Sequence, residues 1–247
     1  MAASTKRDAA LSAKTVVDRS RGVAALYVRS RIEGGMKYSS GDSKRRWTAL
    51  ARRLDGWTRE NGGALSPKEK KLLGKALGTW TERATIDANW RLEALGVLLW
   101  AASLKRTIDR WDVATKSAIV AMLDTPSPAP VVDLASVLAR AKLRSDEALE
   151  RARDTAELWH WRANTAHAWS RRSPAIVKDA AEAALARGDI KRVVGGDFPW
   201  RKKPFAELND DQLSEAHSIA VERHHALEWL TDERPSHASW DSISTDT

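Results

Sequence analysis

Residues 86–104 read IDANWRLEALGVLLWAASL, and this stretch decides the fold. Its apolar residues do not keep to one stripe. Leu92, Leu95, Val97, Leu98, Leu99 and Trp100 surround a helical axis, and a helix that is apolar all round belongs inside a fold with neighbours on every side. The run from Ala94 to Ala102 is nine residues long with Gly96 included, far short of the roughly 18 needed to span a bilayer. The stretch therefore predicts a buried central helix, and no membrane partner is expected.

Outward from it the chain keeps the same character. Ala, Leu, Arg, Glu and Lys are abundant and no segment alternates β-branched residues, so an all-α fold follows, a compact multi-helix domain without significant sheet. Upstream, 42–60 carries Trp47, Leu50, Leu54 and Trp57 on one stripe between an Asp cap and Asn61-Gly62-Gly63. Ser66-Pro67-Lys68-Glu69 forms a capping box with proline at the first helical position, and it opens a helix predicted to reach Trp80. Downstream, a helix is expected over 110–123, a proline-rich hinge over 125–130 and a short helix over 133–142. A long helix then runs from a Ser145 cap to about Arg172, another from Ser173-Pro174 to Gly188, and a loop covers 195–205. The box at Asn209–Gln212 opens a last helix ending near Leu230, and a polar tail with Trp240 and Asp241 follows.

Charge divides the chain. Of 247 residues, 41 are Lys or Arg and 33 are Asp or Glu, a net charge of +8. Residues 1–120 hold 24 basic and 12 acidic side chains, whereas 121–247 hold 17 and 21. A basic N-terminal helical region at 1–63 in front of a helical domain at 64–247, packed as one unit, is the expected organisation. An acidic partner would meet the first part, where Lys44, Arg45, Arg46, Arg52, Arg53 and Arg59 form a candidate nucleic-acid patch. The commoner meaning of such a stretch is a solvated helical surface. Cysteine is absent, which excludes disulfides, thiolate metal sites and Cys nucleophiles. Asp8 and Asp18 interrupt the Arg- and Ala-containing N-terminus, so no signal peptide is expected and the cytoplasm is the default. No GxSxG, P-loop or GxGxxG is present, and no cofactor is read from the sequence.

Tryptophan dominates the aromatics, with twelve against two Phe and two Tyr. Burying about 200 Å² of one Trp removes roughly 5 kcal/mol of apolar exposure, so most belong to the core. The sharper alternative, Trp and Arg as stacking platforms for single-stranded nucleic acid, requires them exposed along a groove.

Several polar residues sit where apolar ones are expected. In the last helix Leu213, Ala216, Ala220, Leu227 and Leu230 make a buried stripe with Arg223 inside it, and Glu222 joins the neighbouring stripe of Ile219, Ala226 and Trp229. Glu93 lies between Trp90 and Val97. Such ions are cross-helix ties, the commoner case, or a site. On the long helix Arg153, Glu157, His160, Asn164, His167 and Arg171 fall on one polar stripe. A pocket collecting Glu93, Glu157, His160, Glu222, Arg223 and His224, closed by Asp197 and Trp240, suits acid-base hydrolysis or phosphoryl chemistry. Glu157–His160 and Glu222–His225 have the E-x-x-H spacing of di-iron bundles, but the further inward Glu residues such a site needs are missing except for Glu93, and no metal is assigned. Three functions stay open: a non-catalytic binding or regulatory module for a protein or small ligand, which the absence of a strong catalytic constellation favours; an enzyme using that pocket; and nucleic-acid binding through the basic region.

WRLEALGVLLWA at 90–101, AELWHWRANT at 156–165, GGDFPWRKKPFAEL at 195–208, SIAVERHHALEWL at 218–230 and WDSISTDT at 240–247 together resemble the bacterial family catalogued as domain of unknown function 4272. The resemblance implies no activity. It implies emphasis on Trp90, Arg91, Glu93, Trp100, His160, Trp161, Glu222, Arg223, His224, Trp229, Trp240, Asp241 and Asp246, while His225 lies outside the pattern. It covers about 65–247, leaving 1–60 as a variable addition.

Overall fold

A computed structural model describes residues 11–128, 132–168 and 174–245. Among them are eight α-helices and one two-stranded ribbon, so the fold is all-α. The helices are α1 (Ala13–Tyr38), α2 (Gly41–Glu60), α3 (Pro67–Leu73), α4 (Glu82–Ala101), α5 (Leu134–Arg140), α6 (Asp146–Ala168), α7 (Pro174–Arg187) and α8 (Asp210–Thr231). No described helix is long and apolar enough to cross a membrane.

The central stretch behaves as its composition demands. Every residue from Leu92 to Leu99 of α4 is buried, and α4 is clasped between α1 and α8, with α6 packed on the outer side of α8. Thr81 caps its start by accepting from the Ala84 N–H. Its C-terminal carbonyls are met by Arg144, whose Nε donates to Trp100 O at 2.8 Å while the guanidinium lies over the Trp100 ring, a cation placed where the helix dipole favours one. Gly96 matters by its lack of a side chain, because a Cβ there would stand 3.0 Å from Thr115 Oγ1.

The main correction is α1. The sequence reading starts its reliable helices at residue 42 and gives no helix bounds within the basic helical region before it, yet α1 is buried without a break from Arg19 to Ser30. Its apolar core, Val23–Val28, is flanked by Arg19, Arg21 and Arg29, which interrupt the hydrophobic pattern and are themselves buried and paired. α2 does match its stripe, and packs on α1 through Leu50, Ala51, Leu54 and Trp57.

Three further differences have physical causes. α3 stops at Leu73 instead of reaching Trp80, because Arg29 Nη2 takes the carbonyls of Lys75 and Ala76, and Glu33 accepts from the Gly78 N–H. The expected helix at 110–123 is a loop with a 3₁₀ turn at Ser117–Met122, since carbonyls a helix would use internally point at Arg223. Within the expected loop at 195–205, Pro199–Trp200 pairs antiparallel with Lys203–Pro204. Of the proposed hinge, Thr125, Pro126 and Ser127 are buried loop residues, and 129–130 lie outside the described residues. Both capping boxes form as read, at Ser66–Glu69 and at Asn209–Gln212.

The tryptophans are core. Trp57, Trp80, Trp159, Trp200, Trp229 and Trp240 are buried, and the other described ones are half-buried. Their pairing with arginine is internal: Arg19 on Trp240, Arg21 on Trp57, Arg29 on Trp80 and Arg223 on Trp111.

Candidate functional site

The polar residues singled out from the sequence separate into bonded groups. The tightest joins α8 to α4. Arg223 donates through Nη2 and Nε to Glu93 at 2.7 and 3.0 Å, and through Nη1 and Nη2 to the carbonyls of Asp109, Arg110 and Val113. Glu93 also accepts from the Thr115 N–H at 2.7 Å and from the Thr115 hydroxyl. Both ions are buried with their bonding closed, the condition under which a buried pair ties a fold together.

Glu222, one residue earlier on α8, pairs instead with Arg91 at 3.0 Å. The carboxylate holds the Arg91 guanidinium above its ordinary value. His225 turns to Trp240, rings 4.6 Å apart, rather than toward the polar side of the helix. Burial, together with Arg91 and Arg19 nearby, pushes the His225 pKa down to about 3, so this imidazole is neutral.

Trp240 is no loose tail residue. It is buried against Trp229 and His225, with the Arg19 guanidinium 4.8 Å from its centroid. Arg19 also bonds Glu69, the capping-box residue of α3. Asp241 accepts from the Ser66 hydroxyl at 2.7 Å and the Lys68 N–H at 2.8 Å, fixing the chain end to the start of α3. Asp197 belongs elsewhere again: it takes Arg162 in a two-pronged bond at 2.7 and 2.6 Å, plus the N–H groups of Phe198 and Ala206. It organises the loop that carries the small ribbon.

His160 and His224 do meet. Their Nδ1 atoms are 3.0 Å apart, and His224 Nε2 contacts Glu228 Oε1 at 3.0 Å. Asn164 joins His160 to His217 through contacts of 3.2 and 3.1 Å. Burial lowers the His224 pKa, with Glu228 opposing. Glu157 is exposed on the same side of α6 and raises the His224 pKa slightly through its charge. The rest of that stripe, the His167 side chain and Arg171, lies outside the described residues. Among the described residues no three His, Asp or Glu side chains are arranged to hold a metal ion.

One concavity is not assembled by the sequence reading. A cleft of about 860 Å³ opens between the loop after α4, α6 and the loop after α7. Trp100, Trp111 and Trp159 line it with Ile108 and Ile190, and Trp111 stacks on Trp159 at 6.0 Å with planes 11° apart. Its carboxylates are engaged, Asp112 by Arg110 and the Arg201 N–H, Asp189 by Arg187, and Asp109 by Lys105. Arg151 and Lys191 on the rim have no carboxylate partner among the described residues. Each tryptophan was legible singly; their convergence required the non-helical path of 103–116, which Arg223 imposes.

The candidate nucleic-acid residues Lys44, Arg45, Arg46, Arg52, Arg53 and Arg59 are all exposed on α2.

No curated protein and no solved structure matches the chain. The model of the family described as Domain of unknown function (DUF4272) matches residues 8–185. That match reaches well into the basic N-terminus and ends in α7, rather than covering 65–247, so α8 and the tail fall outside the matched stretch. Spanning most of the chain, it shows that the protein belongs to the DUF4272 family.

Proposed function

We propose that the protein is a non-catalytic binding module whose cleft takes a small planar aromatic molecule bearing an anionic group. The observation that carries this reading is the Trp111–Trp159 stack in the wall of an 860 Å³ cleft. That volume falls within the roughly 300–1,000 Å³ of ligand sites, which are apolar with a few placed polar groups. Trp100 adds a third aromatic wall, and Arg151 and Lys191 supply charge that nearby carboxylates do not neutralise. Calorimetric titration with AMP and with indole-3-carboxylate tests it. At least one probe should bind, and Trp111→Ala should weaken that binding about 10- to 100-fold, the loss of one stacking face. Arg151→Glu should weaken the anionic probes and leave adenosine or indole unchanged. Failure of both probes to bind the wild-type protein, or indifference to Trp111→Ala, would sink the reading.

One observation favours a second reading, an acid-base enzyme: the in-line contacts from His160 to His224 to Glu228, a chain able to pass a proton. Its test is hydrolysis of p-nitrophenyl acetate and p-nitrophenyl phosphate. Activity lost in a folded His224→Gln variant supports it, and an inactive wild type removes it for these substrates.

A further inference from the structure

α2 packs chiefly on α1 and leaves its outer side to solvent. On that side the cations fall in two heptad-spaced rows, Arg45, Arg52 and Arg59 in one, Arg46 and Arg53 in the other. Each step of seven residues advances about 10.5 Å and returns to nearly the same face. Between the rows stand Ala49 and Gly56, with Asp42 ahead of them on the same heptad line, so the rows flank a shallow track. Opposing charge is sparse: Asp42 is paired with Arg45, Asp55 lies toward Arg29 at 3.8 Å, and Glu60 ends the second row. Arg46, Arg52, Arg53 and Arg59 have no carboxylate partner among the described residues.

A second observation lies at the start of the track. A cleft of about 480 Å³ is lined by Lys37, Tyr38, Trp80 and Lys44 of α2 itself, with two carboxylates, Glu33, engaged by Arg29 and the Gly78 N–H, and Glu82, whose charge acts on Lys37. Tyr38 is 80% exposed, the largest aromatic face the described surface offers. Among the described residues the other large aromatics are buried or half-buried, and the Tyr38 ring has the Lys37 ammonium 5.3 Å from its centroid. The face carries no bulky apolar residue to enter a lipid layer, and an acidic peptide would not need a flat aromatic ring beside the cations.

We propose that the outer face of α2 and the adjoining Tyr38 cleft form a binding surface for single-stranded nucleic acid. Phosphates run between the two arginine rows, and a base at the Lys44 end stacks on Tyr38. Arginine suits this by bidentate bonding to phosphate, and stacking on one ring is indifferent to which base is offered. The surface is independent of the Trp-lined cleft, so either proposal can fail alone.

Fluorescence anisotropy with labelled dT12 and with a 12-base-pair duplex, from 50 to 200 mM salt, tests it. The single strand should bind more tightly than the duplex, and its affinity should fall about 100-fold over that range if five phosphates are neutralised. The double variant Arg52→Glu, Arg53→Glu should flatten that salt dependence, whereas Tyr38→Ala should weaken binding about 10-fold and leave the salt dependence unchanged. Trp111→Ala should have no effect. All three side chains are exposed, and an unchanged melting temperature confirms that the variants fold. A preference for duplex, a flat salt response, or wild-type binding by these variants overturns the proposal. So does equal affinity for phosphatidylserine vesicles or for polyglutamate.

Discussion

Arg223 on α8 and Arg19 on α1 make an instructive pair. Both are buried, both face a glutamate, and both lie against a tryptophan, Trp111 and Trp240 respectively. At Arg223 every guanidinium nitrogen is used, on Glu93 and on three carbonyls. At Arg19 only Nη2 reaches Glu69, while Nε, Nη1 and Glu69 Oε1 are buried without a partner. The same two residue types therefore do different work. Arg223 sets the path of the loop 103–116 and thereby shapes the Trp-lined cleft, whereas Arg19 rests on the Trp240 ring and depends on the C-terminal segment to stay covered. A buried charge organises its surroundings to the extent that its hydrogen bonds close, because each unmet donor keeps its desolvation cost.

The largest expected effect breaks the better-satisfied member. Arg223→Met should cost about 3–5 kcal/mol, the range for removing one partner of a buried pair, read as a lower midpoint in urea unfolding. Glu93 would be left charged and buried, and the loop carbonyls would lose their donor. Near-ultraviolet circular dichroism should change as well, since Trp111 loses the group it packs on. Arg19→Met should cost less, about 1–3 kcal/mol, because two unmet donors leave with the side chain. Equal costs for the two variants would dissolve the distinction between them.

Acid sharpens the Arg19 side. His225 lies on Trp240 with Arg19 and Arg91 close by, and its pKa of about 3 stands well below the unfolded value near 6.5. Below pH 6.5 the unfolded chain therefore binds a proton that the folded chain refuses. The stability this neutral histidine contributes is complete above pH 6.5 and is lost as pH falls toward 3. Between pH 7 and 5 the loss is about 2 kcal/mol. His224 and His237, whose pKa values are lowered first by burial, act in the same direction. Glu222, whose carboxyl burial raises, acts in the opposite one. His225→Gln isolates the single contribution: its unfolding free energy should slope less with pH than that of the wild type. Parallel slopes would show that His225 titrates normally.

This contrast also explains what sequence alone could reveal. The apolar run of α4 and the two capping boxes are local signals, encoded within one turn or one helix, and each appears where it was read. So is the inward position of Arg223, which interrupts an otherwise regular stripe. Its partner was within reach as well, since Glu93 interrupts the other apolar helix. α1 was obscured by the same effect run too far: with Arg19, Arg21 and Arg29 all buried, its amphipathic pattern disappears, and only long-range partners such as Glu69 and Asp124 make sense of them. The polar residues gathered into one expected pocket separate into distinct groups, Glu93 with Arg223 in one, because sequence spacing fixes the face of a helix and not the helix opposite. Of that set, His160 and His224 meet directly. The Trp111–Trp159 cleft was out of reach, since the 103–116 loop follows carbonyl contacts to a residue more than 100 positions away.

The smallest expected effect probes the cover over Arg19. Asp241 receives the Ser66 hydroxyl and the Lys68 N–H, acting from the far end of the chain as a second cap on α3. Asp241→Ala removes both bonds but leaves Ser66 and Glu69 to cap the helix, so the cost should stay near 1 kcal/mol, within the range of a single cap. Its value lies in where the loss appears. If the tail is what keeps Trp240 over Arg19, amide exchange should rise at residues 236–242 and at the start of α3, while the amide of Thr115, bound to Glu93, stays protected. Protection lost equally at Thr115 would mean that the two arginine centres open together, and the lesser bonding of Arg19 would then carry no local consequence.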